Sequence, residues 1–247
     1  MHRALADPSA DGRPTVTRLH DLLAAALPLA TLERVLDAGC GMGGTMLDLA
    51  ARSAATFTGL TLSAQQADVG RRAIARAGLS QRVEILVRNY DRPPEQTFDA
   101  AIAVESLAHS PQPAASLRAI AARLAHGAWV AIVDDMPESA ARGSHDLAAL
   151  QRGWRLPVLA SAMELGEAFA RCGLSLAADH DLTSDVRPRT LRRIATLERV
   201  NRLLRRLAPG SARHLLDSYH GGLALERLYR HGRMRYRLLV ARKTTVA

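Results

Sequence analysis

Two short stretches hold residues whose types and spacing could do chemistry. The first is Asp37-Ala38-Gly39-Cys40-Gly41-Met42-Gly43-Gly44, with four glycines in six residues directly after the apolar run Arg34 to Leu36. Glycines let a chain turn sharply and let its backbone approach a ligand, and a helix start just beyond offers unpaired N–H groups. The helical pattern Met46, Leu47, Leu49, Ala50 follows at once, so strand, glycine turn and helix make a cofactor cradle. Gly39, Gly41 and Gly44 also satisfy the G-x-G-x-x-G spacing of dinucleotide sites, which alone is a weak signal. A nicotinamide site needs an acid at the end of the second strand to hold the ribose. Here that strand, Ala55 to Leu62, ends without one, whereas Asp37 stands just before the glycines, placed to reach a cofactor amine. The second stretch is Glu105-Ser106-Leu107-Ala108-His109. It follows the buried-type run Phe98 to Val104, at the strand end that faces the crevice where α/β sheets bind ligands.

Asp37, Gly39, Gly41 and Gly43 fill the D-x-G-x-G-x-G motif of class I S-adenosylmethionine (SAM) methyltransferases, which the chain resembles over about residues 33 to 135. Gly59-Leu60-Thr61-Leu62-Ser63-Ala64-Gln65-Gln66 resembles the G-x-T-L-S-x-x-Q segment of the cyclopropane-synthase, sterol and tocopherol branch. That resemblance implies that Thr61, Leu62 and Gln66 touch the ribose or methionine part of SAM. It also implies a polar residue against the adenine amine after the third strand. Asp91 is the first candidate, with Asn89 and Tyr90 as alternatives. Cys40 in the glycine turn and Val104 at the end of the fourth strand complete the expected cofactor-binding set. Glu105, Ser106 and His109 map onto the E-[SA]-x-x-H segment of sterol and tocopherol C-methyltransferases. Cyclopropane synthases carry an acid directly before that His; Ala108 stands there, which argues against cyclopropanation. Glu105 is therefore expected to serve as base or cation stabiliser, with His109 as helper. Aromatic walls would come from Tyr90, Trp154, Tyr219 and Tyr229. One departure is plain: relatives carry an N-terminal lid rich in Tyr and Trp, and here no aromatic precedes Phe57.

The elements that must position these residues follow from periodicity and breakers. Residues 1 to 13 are polar, interrupted by Pro8 and Gly12, and read as loose. Thr15 or Thr17 caps a helix to about Leu29. The strands are the apolar run from Arg34, Ala55–Leu62, Arg82–Val87, Phe98–Val104, Trp129–Val133, Leu174–Leu182 and a last one, Met234–Arg242. Ser63 caps a helix ending near Gly78, a helix runs from Pro113 to about Ala125, and another runs from Ser161 to Cys172 before Gly173. A helical insertion spans about 188 to 230, broken at Pro209-Gly210 and Gly221-Gly222, with Leu191, Ile194, Leu197, Val200, Leu204 and Leu207 at helical spacing. The expected fold is α/β, a Rossmann-like seven-stranded methyltransferase sheet with a helical cap inserted before the last strand. Its organisation is a single domain: an N-terminal segment (1–31), a SAM-binding core (32–182), the cap (183–232) and the last strand (233–247).

At 247 residues the chain can bury a full core. Cys40 and Cys172 form no C-x-x-C pair, so neither a disulfide framework nor a metal site is expected. With no run of transmembrane length and no signal peptide, a cytoplasmic protein is expected. Net charge is +9, almost wholly from arginine, since Lys243 is the only lysine. Arg192, Arg199, Arg202 and Arg206 of the cap could clamp a phosphate. The reading is C-methylation of a small hydrophobic or isoprenoid molecule, including a prenyl diphosphate. O- or N-methylation of a natural-product intermediate is the alternative. An RNA methyltransferase ranks last: Asp91-Arg92-Pro93-Pro94 breaks the adenine-methylation signature, and no RNA-binding domain is appended. A homodimer is left open. Asp134 and Asp135, after the fifth strand, are expected chiefly to solvate a strand end.

Overall fold

The computed structural model describes residues 3–207 and 209–244. Its centre is a seven-stranded sheet: β1 (Arg34–Ala38), β2 (Thr56–Thr61), β3 (Val83–Val87), β4 (Phe98–Val104), β5 (Leu124–Pro137), β6 (Leu174–Asp181) and β7 (Met234–Lys243). The spatial order is β3-β2-β1-β4-β5-β7-β6. Pairs from β3 to β5 are parallel, and β7 runs antiparallel to both β5 and β6. Chain order therefore reverses beside β1, leaving a crevice at the carboxyl ends of β1 and β4. The inner strands are buried on both faces, as parallel sheets require. Ala100, Ile102 and Val104 of β4 pack with Val133 and Val240 on one side, and Ala101 and Ala103 with Ile132 and Leu239 on the other.

Helices cover both faces: α1 (Thr17–Ala26), α2 (Gly44–Ala51), α3 (Ala64–Arg76), α4 (Pro113–Ala121), α5 (His145–Trp154), α6 (Ala162–Arg171), α7 (Leu191–Leu207) and α8 (Gly210–Arg230). Leu19 and Leu23 of α1, Met46 and Leu49 of α2, Leu150 of α5 and Leu228 of α8 join one core layer. Leu117 and Ile120 of α4 and Leu165 and Phe169 of α6 form the other. Capping sets several boundaries. Ser63 Oγ accepts from the Gln66 N–H at the start of α3, and Ser161 with Glu164 forms a capping box at α6. Thr15 Oγ1 accepts from Arg18 N at 3.2 Å, although the residue at the α1 boundary is Val16.

Four expectations need correction. The segment read as loose holds a short ribbon, Leu5–Ala6 paired with Pro14–Thr15 (residues 1 and 2 lie outside those described). Asp7 organises it, accepting from Ser9 Oγ and Thr15 Oγ1 at 2.6 Å each. Strand β5 is far longer than Trp129–Val133, because β7 pairs with it from Trp129 to Pro137. Helix α5 falls where no element was expected. It is capped by Ser144 and fastened to α8 through Asp146–Arg227 and Trp154–Ser218 hydrogen bonds. Helix α8 does not break at Gly221-Gly222. A Cβ on Gly153 would lie 2.5 Å from Asp217 O, and one on Gly221 3.1 Å from Gly153 Cα, so these glycines let α5 and α8 touch. On α7, whose apolar residues lie at helical spacing, only Ile194 and Asn201 are buried; Leu191, Val200, Leu204 and Leu207 are exposed.

Candidate active site

The glycine turn divides its labour. Gly39, Gly41 and Gly43 all have positive φ (98°, 56° and 80°), which only glycine adopts without strain. Gly39 is needed for packing: a Cβ there would sit 2.4 Å from Ser106 Cβ, and Ser106 Oγ donates to Ala38 O at 2.6 Å. Gly43 likewise faces Ile85 and Met46. Gly41 and Gly44 would place a Cβ in open space, on the side of the crevice. The Gly39 and Cys40 N–H groups both donate to Leu60 O, at 3.0 and 2.9 Å, and so tie the turn to β2.

Over the turn lies a cavity of about 840 Å³, within the range of small-molecule sites. Gly39, Cys40, Gly41, Thr61, Leu62, Gln66, Asn89, Tyr90, Asp91 and Val104 line it, as do Glu105 and His109. Asp37 and Gly43 are the two candidates outside the lining. Asp37 is only 2% exposed, and burial pushes its carboxyl up to about 7. Its charge is thus poorly compensated in the empty protein, which suits a cationic ligand group nearby. Thr61 Oγ1 donates to Gln66 Oε1 at 2.9 Å. Asp91 accepts from Ser116 Oγ at 2.5 Å and Asn89 Nδ2 at 3.1 Å, which fixes the acid on the cavity wall. Tyr90 donates to Ser106 O at 3.2 Å; burial above all pushes its hydroxyl up to about 12. The reading by sequence missed Val16 and His20, which bring α1 to the cavity wall. Nothing local marks them, because their role depends on where α1 docks.

Glu105 directly follows β4 at φ 49°, a left-handed conformation costly for a residue with a side chain. Its N–H donates to Val133 O at 2.8 Å, which holds the strained residue in place. The next turn is braced by Asp134, whose Oδ2 accepts from Ala108 N at 3.1 Å. Glu105 Oε1 accepts from Tyr236 Oη at 2.9 Å and from Arg3 N at 3.1 Å. Asp135 accepts from Arg3 Nη2 at 2.9 Å and from the Tyr229 hydroxyl. Both aspartates are buried, not solvating a strand end. Burial, then Asp135, pushes Asp134 up to about 8; burial also raises Asp135, against the pull of Arg3. His109 lies at the exposed rim, its pKa lowered by partial burial.

Of the expected aromatic walls, Tyr90 lines the cavity, whereas Tyr229 is buried with its hydroxyl on Asp135 and does not line it. Trp154 instead donates Nε1 to Ser218 O at 2.9 Å between α5 and α8, and Tyr219 lies exposed beneath Arg189. Tyr236 was missed; its alternation with Met234 and Leu238 was legible as a buried face, but not its hydroxyl's partner. The cap does not enclose the cavity. Among the described residues, none from 183–232 lines it, and Arg192, Arg199, Arg202 and Arg206 are exposed on α7. Arg227 binds α8 to its neighbours instead, through Asp146 at 2.8 Å and Glu198. No group of three or more His, Cys, Asp or Glu among the described residues is placed to hold a metal ion.

A sheet in this order, with one antiparallel strand and a glycine turn under a cavity at the switch point, defines the class I SAM-dependent methyltransferase fold. Residues 12–178 match the family model described as a methyltransferase domain, and the chain belongs to that family, whose methyl donor is SAM. It is similar to 24-methylenesterol C-methyltransferase 2 of Arabidopsis thaliana, 27% identical over 176 residues, which are 68% of this chain and 49% of that protein. It is also similar to O-methyltransferase resE of Aspergillus sclerotiorum, 28% identical over 74% of this chain and 70% of that one. Among solved structures, geranyl diphosphate C-methyltransferase from Streptomyces coelicolor A3(2) superposes with a TM-score of 0.75. That match has 22% identity and covers 99% of this chain and 91% of that one. The chain thus spans about half the length of the plant sterol enzyme it resembles.

Proposed function

We propose that this chain transfers the methyl group of SAM to a carbon of a small hydrophobic, isoprenoid acceptor. The observation that carries the reading is Glu105: a carboxylate fixed at the crevice end of β4, bordering the cofactor cavity and hydrogen-bonded to Tyr236 at 2.9 Å. When bound, SAM supplies an electrophilic methyl on a sulfonium. Asp37 and the turn Gly39, Cys40, Gly41 and Gly43 would hold its methionine end, Asp37 countering the ammonium. Thr61, Leu62 and Gln66 would meet the ribose, Asn89, Tyr90 and Asp91 the adenine, and Val104 the apolar floor.

Addition of a methyl to an alkene leaves a positive carbon and requires loss of a proton. Glu105 is suited to both tasks: its charge stabilises the cation, and its free oxygen accepts the proton. Tyr236 orients that carboxylate. Val16 and His20 of the α1 region and His109 would flank the acceptor on the cavity wall. A largely apolar cavity of about 840 Å³, rather than a long basic groove, favours a small molecule over nucleic acid. The acceptor's head group stays open between diphosphate and neutral, since the cap arginines stand away from the cavity.

A second reading, O-methylation, is favoured by His109. Its lowered pKa keeps the ring neutral at pH 7, fit to take a hydroxyl proton at the cavity rim. The similarity to a fungal O-methyltransferase points the same way. Incubation with labelled SAM and a panel of prenyl diphosphates, prenyl alcohols, polyenes and phenols decides between them. Label in a prenyl chain carbon is expected; label in a phenol and in none of the isoprenoids overturns the carbon reading.

A further inference from the structure

Beside the cofactor cavity, two carboxylates and two phenol rings converge on a single positive charge, and that charge belongs to the chain itself. The guanidinium carbon of Arg3 lies 5.0 Å from the Tyr229 ring centre and 5.1 Å from that of Tyr236. Both distances are within cation–π range. Asp135 pairs with Arg3 Nη2 at 2.9 Å, and Glu105 receives the Arg3 backbone N–H at 3.1 Å. Tyr229, Tyr236 and Asp135 are all buried. Yet the fit is incomplete: Arg3 Nε is buried without a hydrogen-bond partner, an arrangement native sites rarely tolerate for a resident group. Arg3 also precedes the ribbon that begins at Leu5, so it can leave without unfolding what Asp7 and Thr15 hold together.

We propose that Tyr229, Tyr236, Glu105 and Asp135 form a subsite for an organic cation of the guanidinium or ammonium class, and that Arg3 is its displaceable internal occupant. The box adjoins the cavity through Glu105, which borders both. An acceptor that carries or develops positive charge can therefore extend from the cavity into the place Arg3 fills. The proposal rests on the acceptor reading only in that shared wall. Neutral acceptors gain nothing from the box, because a neutral group in place of Arg3 leaves Asp135 and Glu105 with their tyrosine hydrogen bonds but no counter-charge.

The test is calorimetric binding of a ten-carbon alkylguanidinium and its neutral alkylurea counterpart to the full chain. Wild type, Arg3→Ala and the volume-filling Arg3→Met are compared. Both variants are expected to bind the guanidinium at least tenfold more tightly than the urea, and about tenfold more tightly than wild type does. Adding Asp135→Asn to Arg3→Ala should shrink the preference below threefold. Folded variants that bind both ligands alike overturn the proposal. So does loss of the folding transition in both variants, since Arg3 would then be a structural clamp and not an occupant. No turnover is read, so label entering a phenol would sink carbon methylation and leave this test standing.

Discussion

Glu105 and Asp37 carry opposite parts of the proposed chemistry, and each can be tested by a change that keeps its shape. Glu105→Gln preserves the size of a strained residue and its bond from Tyr236, but removes the charge and the proton acceptor. Turnover should fall by about 10²- to 10⁴-fold, the usual worth of a positioned acid or base, with SAM affinity within about twofold of wild type by titration. Activity near wild type would remove Glu105 from the base role. Asp37 carries a pH signature. Its carboxyl stands at about 7 in the empty protein, so it is mostly protonated at pH 6 and mostly charged at pH 8. A ligand ammonium favours the charged form, so SAM affinity should rise as pH increases through 7, and Asp37→Asn should flatten that rise. The opposite sign holds for the stability of the empty protein. The raised group makes the folded state the better proton binder, so this contribution falls as pH climbs from about 4 toward 7. The turn offers a third contrast. Gly39→Ala should destabilise the fold most, by driving a methyl into Ser106 on top of its backbone strain, whereas Gly41→Ala, strained at φ 56° but free of a clash, should lose less stability and chiefly weaken SAM binding. Equal thermal melts for the two variants would contradict that division.

At the scale of elements, the glycine turn, the β4 end and the capped helices were readable because the information is local. A run of apolar residues, a breaker and a cap lie within a dozen positions of one another. What sequence could not supply depends on contacts between distant segments. Helix α5 has an ordinary amphipathic pattern, and only its seat against α8 explains Gly153 and Gly221. The pair Gly221-Gly222 reads as a break by composition, yet in the structure it is a close crossing inside one helix. The two glycines should therefore answer differently to the same substitution. Gly221→Ala and Gly153→Ala must push the helices apart and should each cost about 1–3 kcal/mol in urea melts. Gly222→Ala has its nearest neighbour, Trp154, at 3.7 Å from the added Cβ, an ordinary contact. It should be neutral, or stabilising by up to ~1 kcal/mol from helix propensity. Similar losses at 221 and 222 would mean that the pair is a general weak point and not a one-sided crossing.

Across the whole molecule, the cavity is walled by the N-terminal helix and the carboxyl ends of the central strands, while the arginine-rich α7 lies away from it. The chain's positive charge is thus concentrated in part on an element that does not line the cavity, and where the cap was expected the wall is made instead by Val16 and His20. This arrangement predicts where a bound cofactor will be felt. S-adenosylhomocysteine at a hundred times its Kd should stabilise the fold by about 2.7 kcal/mol, a rise in Tm of roughly 5–10 °C for a chain of this size. Hydrogen exchange should slow in α1, in the turn from Gly39 to Gly44 and in the residues after β3. Exchange along α7 should be unchanged beyond the global shift, because exposed, weakly packed segments open locally and independently of the core. Protection of α7 comparable to that of α1 would mean that the cap closes over the ligand after all, and that the wall made by Val16 and His20 is only half of the enclosure.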